Sequence, residues 1–302
     1  MFPIFSALHE RGFWWSVWNT SHNIGGTIIP ILSGSVALWL GWRYGMIIPG
    51  IIAVVVGVLL CFLLRDRPRS MGLPTVGQWR NDVAEINHEE QGVGLSRWNI
   101  LKDYIFKNNI IWVLAISYAV IYVIRTGIND WGNLYLIETH KYDLLTANAT
   151  VMMFEVGGGA IVAGWGADIL FKGNRSQMNV IYTIGIIIAS ACLWLVSIDS
   201  KYVFSLLFFI TGFFIFGPQF LIAMAVAENS HKYASGASTG FVSLFAYLGA
   251  SAAGYPLSKI IEIYHWNGFY ALLLTLSLLL VVLLLIAMKL QTLRANSSMK
   301  QH

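Results

Sequence analysis

The 302-residue chain is 57% hydrophobic and 11% charged, with a mean hydropathy of +0.65. Soluble domains carry about 25% charged residues, so this composition excludes a water-coated globule and points to a polytopic membrane protein. The net charge of +4 is then a topology signal, and nucleic acid is not an expected partner.

A bilayer core of ~30 Å takes ~20 mostly apolar helical residues to cross. Eight such runs lie near Gly12–Leu38, Tyr44–Leu64, Asn109–Ile137, Ala147–Phe171, Asn179–Ile198, Val203–Ala227, Gly236–Ile263 and Gly268–Met288. They are continuous, not alternating in ~10-residue pieces, which favours helices over a barrel. The expected fold is all-α with about eight transmembrane helices. Met1–Arg11 lacks the basic start and cleavable apolar core of a secretory signal.

The first span opens with Trp14-Trp15-Ser16-Val17-Trp18-Asn19-Thr20-Ser21-His22-Asn23-Ile24-Gly25-Gly26. Helical spacing sets Asn19, His22, Asn23 and Gly26 on one face. His22 can donate to a phosphate oxygen and change charge near neutral pH, or it can pack and bond to a neighbouring helix. Gly25-Gly26 suits close helix approach. Cys61 in the second span and Cys192 in the fifth read as small apolar packing residues, with no disulfide or metal site implied.

Residues 65–108 form the one extended polar segment. Arg65, Arg67, Arg69, Arg80, Arg97, Lys102 and Lys107 make it the positive, cytoplasmic side of the membrane. Both termini fall on that side, as expected of a multi-pass protein of the cell's inner membrane. The loop divides two spans from six. Residues 1–64 read as the end of an N-terminal bundle whose beginning is absent, and 109–302 as a complete C-terminal six-helix bundle with a cytoplasmic tail. Transporters built from repeats usually have equal halves.

The third span carries a charge within its apolar run, Arg125. An ionisable group at that depth costs ~2.5–3.5 kcal/mol on insertion scales, so it marks a functional site by default. Tyr118, Tyr122, Arg125 and Asn129 share one helical stripe. A permanently charged planar fork beside phenols and an amide suits a phosphate or carboxylate. The structural alternative is a buried ion pair with Glu155 or Asp130. In the fourth span Glu155 precedes Gly157-Gly158-Gly159; as a proton site, an arginine partner or a sugar-hydroxyl acceptor it stays open. The run from Gly164 to Arg175 ends a helix in Asp168 and continues into a turn bearing Lys172 and Arg175. Charge contacts there can open and close, although a simple positive loop has the same pattern. Gly217-Pro218-Gln219 marks an expected kink with Gln219 as a pore-lining group. Gly236/Gly240 and Gly249/Ala253 are small-residue packing pairs. Trp131, Trp165 and Trp266 suit an interfacial belt.

The chain carries no HExxH, GxSxG or P-loop pattern and no His/Cys cluster with ligand spacing. No enzyme, cofactor or metal is expected. An intramembrane hydrolase built on His22 and Glu155 is the remaining catalytic alternative.

The turn from Gly164 to Arg175 resembles the signature between helices 8 and 9 of the major facilitator superfamily. Trp18 to Gly26 resembles helix 5 of the organophosphate:phosphate antiporters, and Val123 to Gly132 their helix 7. The likeness runs on through Phe216–Gln219 and Gly240–Gly249, and extends from about Glu10 to about Phe269. Gly72–Asp82 and Asn129–Tyr135 are similar to the hexose-phosphate sensor and transport proteins of that family.

The resemblance implies the superfamily fold, with this chain equivalent to helices 5–12 of twelve. It implies exchange of hexose 6-phosphate for inorganic phosphate by alternating access. Arg125 and His22 would hold phosphate, with Asn19, Tyr122, Asn129 and Gln219 toward the sugar. Glu155, Asp168, Lys172 and Arg175 would be gating or charge partners. The second phosphate-binding arginine, on helix 1, has no counterpart here, so the 302-residue chain is not expected to catalyse exchange alone. Ala250 and Ala253 stand where the transporters resemble one another in an Asp/Lys pair. That favours the other role the resemblance implies, a sensor of external glucose 6-phosphate that signals to a membrane histidine kinase. A nonfunctional fragment is the third reading.

Overall fold

The computed structural model describes residues 11–64, 71–74, 78–79, 102–171, 175–196, 198–230 and 234–299. Most of the expected loop 65–108 therefore lies outside the described residues, as does Lys172. The described residues contain helices and no strand. Seven helical runs are long and apolar enough to cross a membrane. The last, Ser235–Arg294, is 60 residues long. At ~1.5 Å per residue it is long enough for two crossings, which accounts for the two spans expected there.

The chain divides into two compact units, Met1–Glu90 and Gln91–His302. The first holds α1 (Arg11–Leu40) and α2 (Trp42–Leu63), joined at Gly41. Gly41 has φ 93° and ψ 160°, a backbone conformation that side chains rarely permit. The two helices pack where Gly45 brings α2 to the backbone of α1. A Cβ there would stand 2.8 Å from the Ser33 carbonyl and 3.1 Å from Ala37 Cβ. At Gly25, among the described residues, no atom lies within 4 Å of where its Cβ would be. Most large apolar side chains of both helices face outward, as lipid-facing residues do.

The second unit begins with a π-helical turn, Lys102–Phe106, followed by α3 (Asn109–His140). Asn108 caps α3 through its side-chain oxygen, 3.1 Å from the Ile110 amide, and donates to the Asn229 carbonyl at 3.2 Å. Its 32 residues exceed the ~20 a bilayer requires, and the helix stops at Lys141 in the left-handed region. The expected fourth span is present as one crossing, Leu144–Leu170, but is interrupted within it: α4 (Leu144–Val156) and α5 (Ala160–Leu170) flank the turn Gly157–Gly159, where Gly158 leaves the helical region. Then come α6 (Arg175–Leu195), α7 (Lys201–Asn229), α8 (Ser235–Ala252) and α9 (Tyr255–Met299). The expected seventh span is also divided, at Ala253-Gly254 between α8 and α9. Within α9 the helix is broken again at His265, with φ 55° and ψ −163°.

α3 packs against α8, α9 and α7; α6 packs against α7 and α9; α4 packs on α7. Their shared core is aromatic and branched, with Phe154, Phe204, Phe208, Phe216, Phe220, Ile121 and Ile124 all fully buried. The small residues that matter are those where helix backbones meet. A Cβ on Gly249 would run into the Ala119 carbonyl of α3, and one on Gly217 into the Tyr182 ring. α7 continues through Pro218 without a break. Gly236 and Gly240, by contrast, have no described atom within 4 Å of where a Cβ would be. Cys61 and Cys192 both lie on exposed faces, outside the core. Trp165 is exposed as a belt residue would be, whereas Trp131 donates its indole N–H to the Ala253 carbonyl at 2.8 Å.

Candidate functional site

Arg125 stands midway along α3, with a side chain only 14% exposed. One helical turn before it, Tyr122 presents its ring 5.7 Å from the guanidinium carbon. From α7, Phe216 offers a second ring at 5.2 Å. Aromatic faces carry negative quadrupoles, so both stabilise the cation where water is scarce. Glu155, on the last turn of α4 and 6% exposed, places Oε1 3.3 Å from Arg125 Nη2. Of the two carboxylates within sequence-level reach, Glu155 therefore pairs with the arginine. Asp130 instead accepts from the Asn129 side chain at 3.1 Å, on an exposed edge.

The expected stripe on α3 is present. Tyr118 and Tyr122 meet edge to face at 5.0 Å between centroids. Gln219 of α7 donates its Nε2 to the Tyr122 hydroxyl at 3.4 Å. Arg125, Tyr122, Gln219 and Glu155 are thus brought together. Asn129 is not drawn into that group, since its amide is engaged with Asp130. Asn19 and His22 belong to the first unit. On α1, Asn19 is half-buried and His22 exposed, while their neighbour Asn23 is buried, its carbonyl accepting from Thr27 at 2.9 Å.

Two members of the site were not singled out by sequence. Phe216 was hidden in an aromatic run, although its place just before Gly217-Pro218-Gln219 hinted at it. Tyr247 of α8, 6.2 Å from Tyr122 by ring centroids, had no local signal at all.

A second charged cluster lies at the end of the unit where α5 leads into α6. Arg175 donates through Nη1 to Asp168, and through Nε and Nη2 to Glu228 Oε1 at 3.4 Å each. Its side chain is 6% exposed while Asp168 and Glu228 are 24% and 41% exposed, so the fork joins α5, α6 and the end of α7 with its carboxylates open to solvent. Beside it Ser176 donates to Gln291 of α9 at 2.6 Å. The sequence named Asp168 and Arg175 but not Glu228.

The opposite end is tied by His140, whose ring contacts Asp199 at 3.2 Å and packs at a tilt against Phe204, 4.4 Å between centroids. In the α3–α4 linker, burial and the neighbouring Asp199 push the Tyr142 phenol up to about 12. Asp143 caps α4. The Thr146 side chain, then its amide, holds that carboxyl below the usual carboxylate range. Among the described residues no group of three potential ligands could hold a metal ion.

The arrangement presents one half-buried planar cation, two aromatic faces, a competing carboxylate and a hydrogen-bonded amide–phenol pair. Chemically it can exchange one oxyanion for another, because a carboxylate oxygen and a phosphate oxygen make the same charge-assisted bond to a guanidinium N–H. Comparison with known sequences agrees in class. The family model described as Major Facilitator Superfamily matches residues 4–254. The membrane sensor protein UhpC of Salmonella typhimurium is 55% identical over 266 residues, 87% of this chain and 60% of that protein. A probable hexose phosphate transport protein of Chlamydia trachomatis is 43% identical over 293 residues, 91% of this chain and 63% of its own length. The hexose-6-phosphate:phosphate antiporter of Salmonella typhimurium is 33% identical over 277 residues, 87% of this chain and 59% of its own length. The chain thus spans about 60% of the length of these relatives.

Proposed function

We propose that this chain, which belongs to the major facilitator superfamily, takes part in moving hexose 6-phosphate across a membrane in exchange for inorganic phosphate. The observation that carries the reading is Arg125: a half-buried guanidinium against the rings of Tyr122 and Phe216, with Glu155 at 3.3 Å as an exchangeable anionic partner. Phosphate or a sugar phosphate takes the carboxylate's place as a bidentate ligand. Tyr122 and Gln219 are then the groups within reach of sugar hydroxyls. Since both anions need the same cation they compete, and competition at one site is what exchange by alternating access requires. The relatives' names, a hexose phosphate transport protein and a hexose-6-phosphate:phosphate antiporter, support that substrate class. The reading is non-enzymatic, and the membrane is the inner, cytoplasmic one with both termini on its cytoplasmic side.

A second reading is that the same site serves a sensor that passes its bound state to a membrane histidine kinase. The higher identity to a membrane sensor protein favours it, as do Ala250 and Ala253 on and after α8. In a sensor, ligand binding shifts a conformational equilibrium that a partner reads.

Phosphate and glucose 6-phosphate counterflow by the purified chain in liposomes tests transport directly. Co-expression with a membrane histidine kinase, read as glucose 6-phosphate-dependent phosphorylation, tests sensing. Arg125→Ala should abolish whichever response is found. A response that survives it would reject Arg125 as the anion's ligand.

A further inference from the structure

We propose that the unwound turn Gly157–Gly159 is the positioning element of the anion site: it seats Glu155 against Arg125 and so sets how readily an anion takes that carboxylate's place. This rests on reading Arg125 as the anion's ligand and deepens it.

The second unit contains two helix pairs in backbone contact. In one, α3 and α8 meet where Gly249 lies on the Ala119 carbonyl, and Trp131 holds the Ala253 carbonyl at 2.8 Å. In the other, α4 and its turn meet α7. A Cβ on Gly212 of α7 would run into the Phe154 carbonyl, and one on Gly159 into the Phe213 carbonyl. A Cβ on Gly157 would meet the Phe209 carbonyl and stand 2.6 Å from the Phe213 amide nitrogen. Arg125 rides on the first pair and Glu155 on the second. Their 3.3 Å contact is therefore a bond between the two pairs.

The turn decides where Glu155 comes to rest. Gly158 has φ 43°, outside the right-handed helical region, so α4 ends there and α5 starts afresh. Unwound backbone at this depth is tolerated where it is buried against protein, and the contact with α7 provides that. An L side chain at Gly158 disfavours that positive φ, so a substitution there would shift the end of α4 on which Glu155 sits. A charge-assisted contact does not survive such a shift at full strength. Phe216, on the same α7, also contacts the guanidinium, its ring 5.2 Å from the guanidinium carbon. The break thus sets the carboxylate's competitive strength without touching the anion.

The test uses the purified full chain in detergent, titrated with inorganic phosphate at constant ionic strength. Affinity is read from the phosphate-dependent rise in melting temperature. Glu155→Gln removes the competitor and should tighten phosphate by about tenfold, the factor that accompanies ~1.4 kcal/mol. Gly158→Ala should tighten it about threefold, on the same scale, and add nothing in the Glu155→Gln background. Gly158→Asn, whose side chain tolerates positive φ, should stay close to wild type in both. It keeps the comparison available if the alanine variant does not fold. An equal change from a Gly158 variant in both backgrounds would mean that the turn is merely structural and overturns the proposal. Absence of any phosphate response that depends on Arg125 would reject the anion-site reading instead. In that event the melting temperatures of Gly158→Ala, Glu155→Gln and the double variant still decide the positioning role. Non-additive shifts support it, and additive shifts reject it.

Discussion

Replacing Arg125 by alanine leaves Glu155, 6% exposed, without the guanidinium 3.3 Å away. Two unit charges at that separation attract by about 5 kcal/mol at an effective dielectric near 20. Removing one partner of a buried pair costs roughly 3–5 kcal/mol, because the remaining charge is left uncompensated. Spread over a unit of this size, that corresponds to a drop in melting temperature on the order of 10 °C. The assay is thermal unfolding of the purified chain in detergent at neutral pH. Arg125→Ala should melt far below wild type, and Arg125→Ala with Glu155→Gln should recover more than half of the loss. The recovery separates lost pairing from lost packing on Tyr122 and Phe216, which the second substitution cannot restore. If Arg125→Ala melts within a degree or two of wild type, Glu155 does not depend on the guanidinium, and the electrostatic account of the site is wrong.

Three further outcomes follow from local geometry elsewhere in the chain. Gly159→Ala should destabilise by at least the ~1–3 kcal/mol typical of overpacking, because the obstacle is the Phe213 carbonyl, which cannot rotate away. Gly236→Ala, with no described atom within 4 Å, should instead be neutral or stabilising by up to ~1 kcal/mol through helix propensity; paired melting curves in one detergent distinguish the two. Asp143, held below its ordinary range by Thr146, contributes stability above the usual carboxylate value of ~3.9 and loses it as pH falls through its lowered value. The difference in melting temperature between wild type and Asp143→Ala should therefore shrink on going from pH 6 to pH 3, and a constant difference would rule out the cap as its source.

Much of the site's chemistry was legible along one helix. Arg125 is conspicuous because a charge in an apolar run is costly, and the stripe with Tyr118 and Tyr122 follows from helical periodicity. The choice between Asp130 and Glu155 was half-legible. Five residues at 3.6 per turn place Asp130 well around the helix from Arg125, so the local candidate was the poorer one. Nothing local could promote Glu155, thirty residues away on another helix. The same holds for Glu228, which completes the Arg175 fork from the end of α7, and for Tyr247, which reaches Tyr122 from α8.

Sequence by itself determined the membrane class and the apolar runs and singled out the cation of the candidate site, because hydropathy and helical period are local quantities. Tertiary structure alone decided which glycines are contacts. Gly249 abuts a carbonyl of a neighbouring helix, while Gly236 has no described atom within 4 Å, although both belong to pairs that read alike in the chain. It also decided that the fourth span is broken at Gly157–Gly159, with Glu155 delivered from the end of a half-helix. Helix adjacency and backbone separation are properties of packing, and no periodicity within a single segment encodes them.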